Sequence, residues 1–195
     1  AGVIGQFLIR SLRGLGAKAR ILVVARHGFQ RDLALAGGAD EVLMSPNRKA
    51  LGKAVGATFL ATSLGGGNLE GGADWFFDCV GSARSLQEGL VCLRGRGTLV
   101  LVATSGSIGN VDISSLWFRE LRLTGTNCYG QGTARGTTYQ TYPLALELLG
   151  RPDFPIQGLL THTFPLDNWA EAFQTVFDKR GTKSVKVALD LRAER

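Results

Sequence analysis

Apolar residues along this chain follow two spacings in turn, and each spacing predicts a different element of secondary structure. From about Gly2 to Leu15 they recur every three or four residues, which predicts an amphipathic helix. Its predicted apolar face consists of Ile4, Leu8, Leu12 and Leu15, and its polar face of Gln6, Arg10 and Arg13. A continuous apolar run at 21–24 then predicts a short strand buried on both faces, as in a parallel sheet.

The same two spacings repeat to the end of the chain. Further helices are predicted at about 29–36, 48–55, 82–93, 138–149 and 167–177, with Ser82 and Asp167 as N-caps of the third and the last. Further strands are predicted at 41–44, 58–60, 73–80, 97–102, 121–124 and 185–189, and a turn at the glycines of 65–68. Strands that alternate with helices imply an α/β fold, in which helices cover both faces of a doubly wound, mostly parallel sheet.

Composition and charge argue against several classes of protein. Of the 195 residues 45% are hydrophobic and 19% are charged, and no apolar run approaches the ~20 residues of a membrane-spanning helix. We therefore predict no membrane partner. The net charge is +6, but the basic residues are scattered and form no stripe with interleaved aromatics, so we predict no nucleic-acid partner.

The cysteines bear on redox chemistry and location. Cys79, Cys92 and Cys128 lie far apart and form no C-x-x-C, which argues against a zinc ribbon or a disulfide framework. We expect reduced, mostly buried thiols, and hence a cytoplasmic protein.

A partial glycine fingerprint opens the chain. Gly2-Val3-Ile4-Gly5 runs directly into the first helix and matches the second half of G-x-G-x-x-G. Such a turn lets the backbone approach a pyrophosphate, whose negative charge is favoured by the N–H groups and dipole of the helix start. The strand that precedes this turn in a doubly wound sheet is not in the sequence. We therefore expect the chain to be a fragment whose sheet lacks its first strand.

Several segments, taken in order, resemble the coenzyme domain of the medium-chain dehydrogenase/reductases, the superfamily of zinc-dependent alcohol dehydrogenases. They are 2–5, 36–42, 72–82, 95–100, 121–125 and 163–166, the last followed by 170–173. The resemblance covers nearly the whole chain. It implies a Rossmann-type NAD(P)-binding domain at 1–155, and a C-terminal segment, 156–195, that returns toward a catalytic domain upstream.

The resemblance also implies which residues line the cofactor. Gly2, Val3, Ile4 and Gly5 would hold the pyrophosphate, and Cys79 and Val80 would lie near a ribose. The residues implied to border the nicotinamide are Val102, Ala103, Thr104, Asn127 and Cys128, and Lys186 matches a basic position used near the pyrophosphate. These positions agree with the general rule that ligands of open α/β sheets bind beyond the carboxyl ends of the strands. Simple packing at strand ends, and for Lys186 a surface position on an edge strand, are the alternative interpretations.

The end of the second strand of the fold predicts the choice of cofactor. NAD-binding relatives place Asp or Glu there to hydrogen-bond the ribose hydroxyls, but this chain has Ala25, followed by Arg26 and His27. A carboxylate would repel a 2′-phosphate, whereas a guanidinium can bind one through two hydrogen bonds. We therefore favour NADP(H) over NAD(H). The alternative is that Arg26 is a solvated loop residue and that NAD binds without the usual acid.

The expected activity is hydride transfer between the nicotinamide and a small-molecule alcohol or carbonyl substrate. No catalytic residue can be named, and a catalytic zinc would need ligands from the upstream domain, because neither His27 nor His162 has a Cys or carboxylate at ligand spacing. The resemblance further implies a homo-oligomer. The alternatives left open are a zinc-independent quinone or enoyl reductase of the same superfamily and a dinucleotide-binding module without catalysis.

Three other nucleotide-binding classes fit the residues poorly. A short-chain dehydrogenase needs Tyr-x-x-x-Lys, but Pro143 and Leu146 stand four residues after Tyr139 and Tyr142. A methyltransferase normally places an acidic residue where Ala25 stands. P-loop chemistry needs Gly-Lys-Ser/Thr, which does not occur in this sequence.

Overall fold

The computed structural model describes residues 1–61, 67–134 and 136–192. The helices in these ranges are α1 (Val3–Gly14), α2 (Gly28–Ala36), α3 (Arg48–Ala54), α4 (Ala83–Cys92), α5 (Ser114–Phe118), α6 (Thr141–Gly150), α7 (Trp169–Phe177) and α8 (Lys179–Thr182), with a 3₁₀ turn at Leu166–Asn168. None of the helices in these ranges is long and apolar enough to cross a membrane.

Parallel pairing dominates the described strands. These strands are β1 (Leu22–Ala25), β2 (Glu41–Met44), β3 (Thr58–Ala61), β4 (Gly67–Glu70), β5 (Ala73–Asp78), β6 (Leu93–Leu101), β7 (Arg122–Gly125), β8 (Gln131–Ala134), β9 (Thr137–Gln140), β10 (Leu160–Pro165) and β11 (Lys186–Asp190). The pairs β1–β2 and β10–β11 are parallel, as is the three-stranded sheet β5–β6–β7. Two antiparallel hairpins, β3–β4 and β8–β9, complete the strands. The mostly parallel α/β architecture expected from the sequence is confirmed.

The chain divides into two compact units. The first unit joins Ala1–Ser45 to Ala145–Arg195, and the second is Pro46–Leu144. The core of the first unit is a cluster of Ile9, Ala34 and Ala39, against which Ile21, Val23 and Val42 pack. These side chains join α1 and α2 to β1 and β2.

The core of the second unit lies between α4 and the three-stranded sheet. Its buried members are Leu86, Leu90, Leu93, Leu99 and Leu121. Phe76 and Leu101 pack against the cluster from β5 and β6. This packing fixes the direction of the three strands and therefore the positions of the loops at their carboxyl ends.

Most element positions match the prediction, and the capping role of Ser82 is confirmed. The Ser82 hydroxyl accepts a hydrogen bond from Ser85 N at 3.1 Å at the start of α4. Asp167 is not a helix cap, because it lies inside the 3₁₀ turn and α7 begins two residues later. Of the predicted turn at 65–68, residues 65 and 66 lie outside the described residues, and the glycine at 67 begins β4.

The buried face of α1 differs from the prediction. Ile4 and Leu15, assigned to the apolar buried face, are 50% and 52% exposed. The buried residues of α1 are instead Gln6, Ile9 and Arg10. The reason is that Ile9 packs into the cluster on β1, β2 and α2, and Gln6 and Arg10 lie beside Ile9, one turn before it and one residue after it. Two polar side chains therefore occupy the interior of the first unit.

Candidate functional site

The start of α1 lies at the carboxyl end of β1. The amino group of Ala1 donates a hydrogen bond of 2.8 Å to the carbonyl oxygen of Val24, the next-to-last residue of β1. The side-chain amide of Gln6 donates to Gln30 O at 2.9 Å and so ties the first turns of α1 and α2 together. Within the first unit, the glycine turn and the Arg26–His27 loop therefore lie at one edge.

The first turn of α1 offers free backbone donors to an anion. No side chain caps the helix, and no acidic residue lies in its first turn. The first N–H groups of a helix have no partner inside the helix, and its dipole makes that end positive. A Cβ added to Gly2 or Gly5 would meet nothing within 4 Å among the described residues. The space above these glycines is therefore open to a ligand.

The loop after β1 exposes a guanidinium. Ala25 ends the strand and is buried, and Arg26, which follows it, is exposed. Among the described residues the Arg26 side chain forms no ion pair. The ring of His27 lies nearly parallel to that of Phe29, with centroids 5.5 Å apart. Among the candidates near the glycine turn, Arg26 is thus the cationic side chain available to a ligand.

The remaining strand-end candidates gather in the second unit. Cys79 and Val80 follow β5, Val102, Ala103 and Thr104 follow β6, and Asn127 and Cys128 follow β7 shortly after its last residue. Because these strands are parallel and adjacent, all of these residues lie at the carboxyl edge of one sheet. Val80 is 68% exposed, Cys79 and Val102 are half-buried, and Asn127 accepts a 2.7 Å hydrogen bond from Cys128 N through Oδ1.

Asp78 organises this edge, and the sequence analysis missed it. Its carboxylate is 1% exposed and accepts hydrogen bonds from Val80 N at 2.9 Å, Gly81 N at 3.0 Å and Ser85 Oγ at 3.0 Å. Its carbonyl accepts from Val102 N and Ala103 N. Asp78 therefore holds the loops after β5 and β6 and the start of α4 in one arrangement. The sequence signal that could have identified Asp78 is its position as a charged residue at the end of an apolar strand.

Gly81 is required by the same loops. Its φ is +71°, and an added Cβ would lie 2.1 Å from Ser105 Oγ and 2.8 Å from Ala103 Cβ. Ser105 Oγ also donates to Gly81 O at 2.7 Å. The turns after β5 and β6 are thus packed tightly enough to fix the candidates between them.

Lys186 and His162 belong to the β10–β11 pair and to neither of these two groups. Lys186 begins β11, is exposed, and pairs with Leu160 of β10. His162 stacks on Phe164 with ring centroids 6.4 Å apart, and its buried Nδ1 has no hydrogen-bond partner within the described residues. Among the described residues, no three His, Cys, Asp or Glu side chains lie close enough together to hold a metal ion. The described residues therefore do not fit a zinc ion.

A cleft of about 270 Å³ lies at the other end of α1, away from the glycine turn. It is lined by Arg10, Arg13 and Arg151, but their guanidiniums bind backbone carbonyls, and Arg13 also binds Asp40 at 2.5 Å. These donors are already occupied by the fold. The cleft is accordingly not part of the candidate site.

Burial suppresses the reactivity of two cysteines. It raises the pKa of Cys79 from 9.0 to about 11 and that of Cys92 to about 12, whereas Cys128 is exposed. Since the thiolate is the nucleophile, iodoacetamide at about pH 8 is expected to alkylate Cys128 first and Cys92 last. Peptide mass spectrometry over time measures the order. Equal rates at the three cysteines in the folded protein would contradict the structure.

The same shifts give a pH dependence. The folded protein holds the two thiol protons more tightly than the unfolded chain, because the folded pKa values are the higher ones. This contribution to the free energy of unfolding is complete below about pH 9 and is lost as the pH rises toward 11 and 12.

Comparison with known proteins identifies the family. Residues 3–150 match the profile of the family described as Zinc-binding dehydrogenase. The chain belongs to this family. The membership confirms the resemblance to medium-chain dehydrogenase/reductases seen in the sequence.

Individual relatives agree with the family assignment. Sorbitol dehydrogenase of Macaca fascicularis is 31% identical over 106 residues, which are 54% of this chain and 27% of that enzyme. An alcohol dehydrogenase of E. coli CFT073, solved with NADH, superposes with a TM-score of 0.72 at 19% identity and covers 97% of this chain and 50% of its own. A zinc-binding dehydrogenase of Sinorhizobium meliloti, solved with NADP, superposes with a TM-score of 0.65 at 22% identity. The match covers 97% of this chain and 50% of that protein. These structures confirm the Rossmann-type fold, and this chain spans half of their length or less.

Proposed function

We propose that this chain is the dinucleotide-binding part of an oxidoreductase that transfers a hydride between NADP(H) and an alcohol or carbonyl substrate. Family membership and the likeness to sorbitol and alcohol dehydrogenases support the reaction class. One solved structure of the same fold was solved with NADH and another with NADP, so the fold alone does not set the cofactor. The choice between them depends on this chain's own residues.

The pyrophosphate is assigned to the first turn of α1. Uncapped N–H groups, no acidic side chain and open space above Gly2 and Gly5 are together what a diphosphate needs. Lys186 is a second, exposed cation that the resemblance assigns to the same group. The N–H groups of the first turn and Lys186 would together neutralise part of the negative charge of the diphosphate.

The position of Arg26 carries the choice of NADP(H). It follows the carboxyl end of β1, at the edge where α1 begins, and no carboxylate stands at Ala25 to hydrogen-bond ribose hydroxyls. A guanidinium there can make charge-assisted hydrogen bonds to a 2′-phosphate, and NAD(H) has no such group to bind. His27 adds a second side chain at this position, whose ring is held by Phe29.

The nicotinamide is assigned to the carboxyl edge of β5, β6 and β7. When bound, the cofactor supplies the donor or acceptor of the hydride. Val80, Val102 and Ala103 offer apolar surface to the ring, and the turn that Asp78 holds fixes their positions. Thr104, Asn127 and Cys128 complete the proposed border of the ring.

Activity of the intact protein tests the proposal. Reduction of NADP⁺ in the presence of a panel of polyols and secondary alcohols is expected, with NAD⁺ used less efficiently. Initial rates at 340 nm give kcat/KM for each cofactor. A protein that binds neither NADPH nor NADH in a calorimetric titration would contradict the assignment of a dinucleotide site.

Replacement of Gly2 by alanine separates cofactor binding from folding. Its φ of −76° is accessible to alanine and its Cβ would meet no described residue within 4 Å, so the free energy of unfolding is expected to fall by less than about 1 kcal/mol. The methyl group would occupy the space assigned to the diphosphate, and binding of NADPH is expected to weaken about tenfold or more.

Gly150→Ala is the matched control, because that glycine ends α6 and also has open space around it. It is expected to leave the NADPH dissociation constant unchanged. Equal NADPH affinity of Gly2→Ala and the parent protein would remove the diphosphate from the start of α1.

A further inference from the structure

A network of buried, hydrogen-bonded polar groups runs from the interior of the first unit to the loop that carries Arg26. It begins at Arg10, which is 1% exposed, passes through Gln6, which is 0% exposed, and ends at Gln30, which is 8% exposed. Because these residues are buried, their polar groups are costly unless every one is hydrogen-bonded. The hydrogen bonds between them therefore determine which arrangement of the loop is stable.

Arg10 lies at the inner end of this network and donates most of its hydrogen bonds. Its guanidinium donates to Gln6 Oε1 at 2.9 Å, Gln6 O at 3.1 Å and Leu33 O at 3.2 Å, and also to Pro155 O. No carboxylate pairs with it among the described residues, and burial lowers its pKa. A Cβ on Gly37 would lie 2.3 Å from Arg10 Nη1, so the backbone there leaves room for this guanidinium.

The donors and acceptors allow one orientation of each glutamine. A guanidinium only donates, so the oxygen of Gln6 must face Arg10, and its nitrogen then donates to Gln30 O at 2.9 Å. The oxygen of Gln30 must in turn face the loop, because it accepts from two backbone N–H groups, Arg26 N and His27 N, each at 3.2 Å.

The side chain of Gln30 thus fixes the backbone conformation at Arg26 and His27. The chain leaves β1 at Ala25 and enters α2 at Gly28, and the N–H groups of the two residues between these points both bind one side-chain oxygen. The backbone of His27 accepts from Gln30 N at 3.1 Å in return. With both peptide units fixed, the direction in which the Arg26 side chain leaves the loop is fixed as well.

We propose that Gln30, held by Gln6 and Arg10, is a positioning residue for cofactor selection, which orients the Arg26 loop toward the 2′-phosphate of NADP(H). The inference rests on the proposed function, since it requires Arg26 to bind that phosphate. Gln30 acts through Arg26 and touches no cofactor. Its loss should therefore lower the preference for NADPH over NADH without removing dinucleotide binding.

A double-mutant cycle in the intact protein tests this role. The proteins are the parent, Gln30→Met, Arg26→Ala and the double variant, each titrated with NADPH and NADH by fluorescence. Methionine has the length of glutamine but no strong acceptor, so Gln30→Met is expected to weaken NADPH binding about five- to tenfold and NADH binding less than twofold. In the Arg26→Ala background the same change is expected to leave the NADPH/NADH ratio unaltered, because the residue through which it acts is gone.

Gln87→Met is the matched control. Gln87 also bridges backbone groups, accepting from Asp112 N at 2.8 Å and donating to Asp112 O at 3.2 Å, but it lies on α4 in the second unit. It should cost similar stability and leave the cofactor ratio unchanged. If Gln30→Met does not fold, Gln6→Met takes its place in the cycle and should change the ratio in the same direction by a smaller factor.

The outcomes are distinguishable. Loss of the Gln30 effect in the Arg26→Ala background supports the positioning role. An equal effect of Gln30→Met with and without Arg26, or no effect at all, overturns it and leaves the proposed function intact. An unchanged ratio in Arg26→Ala alone overturns the proposed selection of NADP(H), and the positioning role with it.

Discussion

Replacement of Arg26 by aspartate is expected to reverse the cofactor preference of the intact protein. The guanidinium is exposed at the carboxyl end of β1, and its hydrogen bonds to a 2′-phosphate would be lost. Hydrogen bonds to charged groups contribute about 1.5–3 kcal/mol, and the new carboxylate would repel the phosphate while accepting bonds from ribose hydroxyls. We expect the NADPH/NADH affinity ratio to fall about a hundredfold or more, which corresponds to about 3 kcal/mol.

Arg31→Asp controls for net charge. Arg31 is exposed on α2 and paired with Asp32 at 2.8 Å, so the same change of charge occurs near the loop but outside it. Salt screens charges that are about 10 Å apart, and this control should change both affinities slightly and equally. Dissociation constants from fluorescence titration at fixed ionic strength give the ratios. Identical ratios in Arg26→Asp and the parent protein would show that Arg26 is a solvated loop residue.

The largest loss of stability is expected from Gly72→Ala. Gly72 precedes β5 with φ of +128°, and a Cβ there would lie 2.2 Å from Cys92 O and 3.0 Å from Arg94 N. Both obstacles are backbone atoms at the junction of α4 and β6, so no side chain can move aside. A conformation closed to alanine together with a backbone collision is expected to cost more than about 3 kcal/mol in the free energy of unfolding.

Gly56→Ala isolates the contribution of the collision. Gly56 also has a positive φ, +71°, but no described residue lies within 4 Å of its Cβ position. It should cost about 1–2 kcal/mol, the ordinary penalty of a left-handed residue. Urea denaturation of both variants measures the difference. Equal losses in the two would show that the chain at Gly72 relaxes around the methyl group.

The strand ends could be predicted from the sequence because apolar runs and glycine turns are local signals. The strand at 41–44 was predicted with its observed bounds, and the helix start at Ser82 follows from a capping pattern. Arg26 was identified from its place after an apolar run. Parallel strands then bring the residues after β5, β6 and β7 to one edge, which requires only the strand order.

The buried polar residues could not be predicted in this way. Periodicity assigns polar side chains to the surface, but Gln6 and Arg10 are buried because carbonyls and an amide oxygen on other segments satisfy them. Gln30 and Asp78 act through backbone N–H groups nearby, and no spacing of residue types reports such bonds. The hairpin β8–β9 and the short helix α5 were missed because their apolar positions show neither the helical nor the strand spacing. The predicted helix at 138–149 was wrong over residues 138–140, which belong to β9.

A crystal structure of the intact protein with NADPH would locate both phosphate sites. We expect the diphosphate against the N–H groups at the start of α1 and the 2′-phosphate within hydrogen-bond distance of the Arg26 guanidinium. A dinucleotide bound elsewhere, or a crevice at the start of α1 filled by side chains, would contradict this expectation.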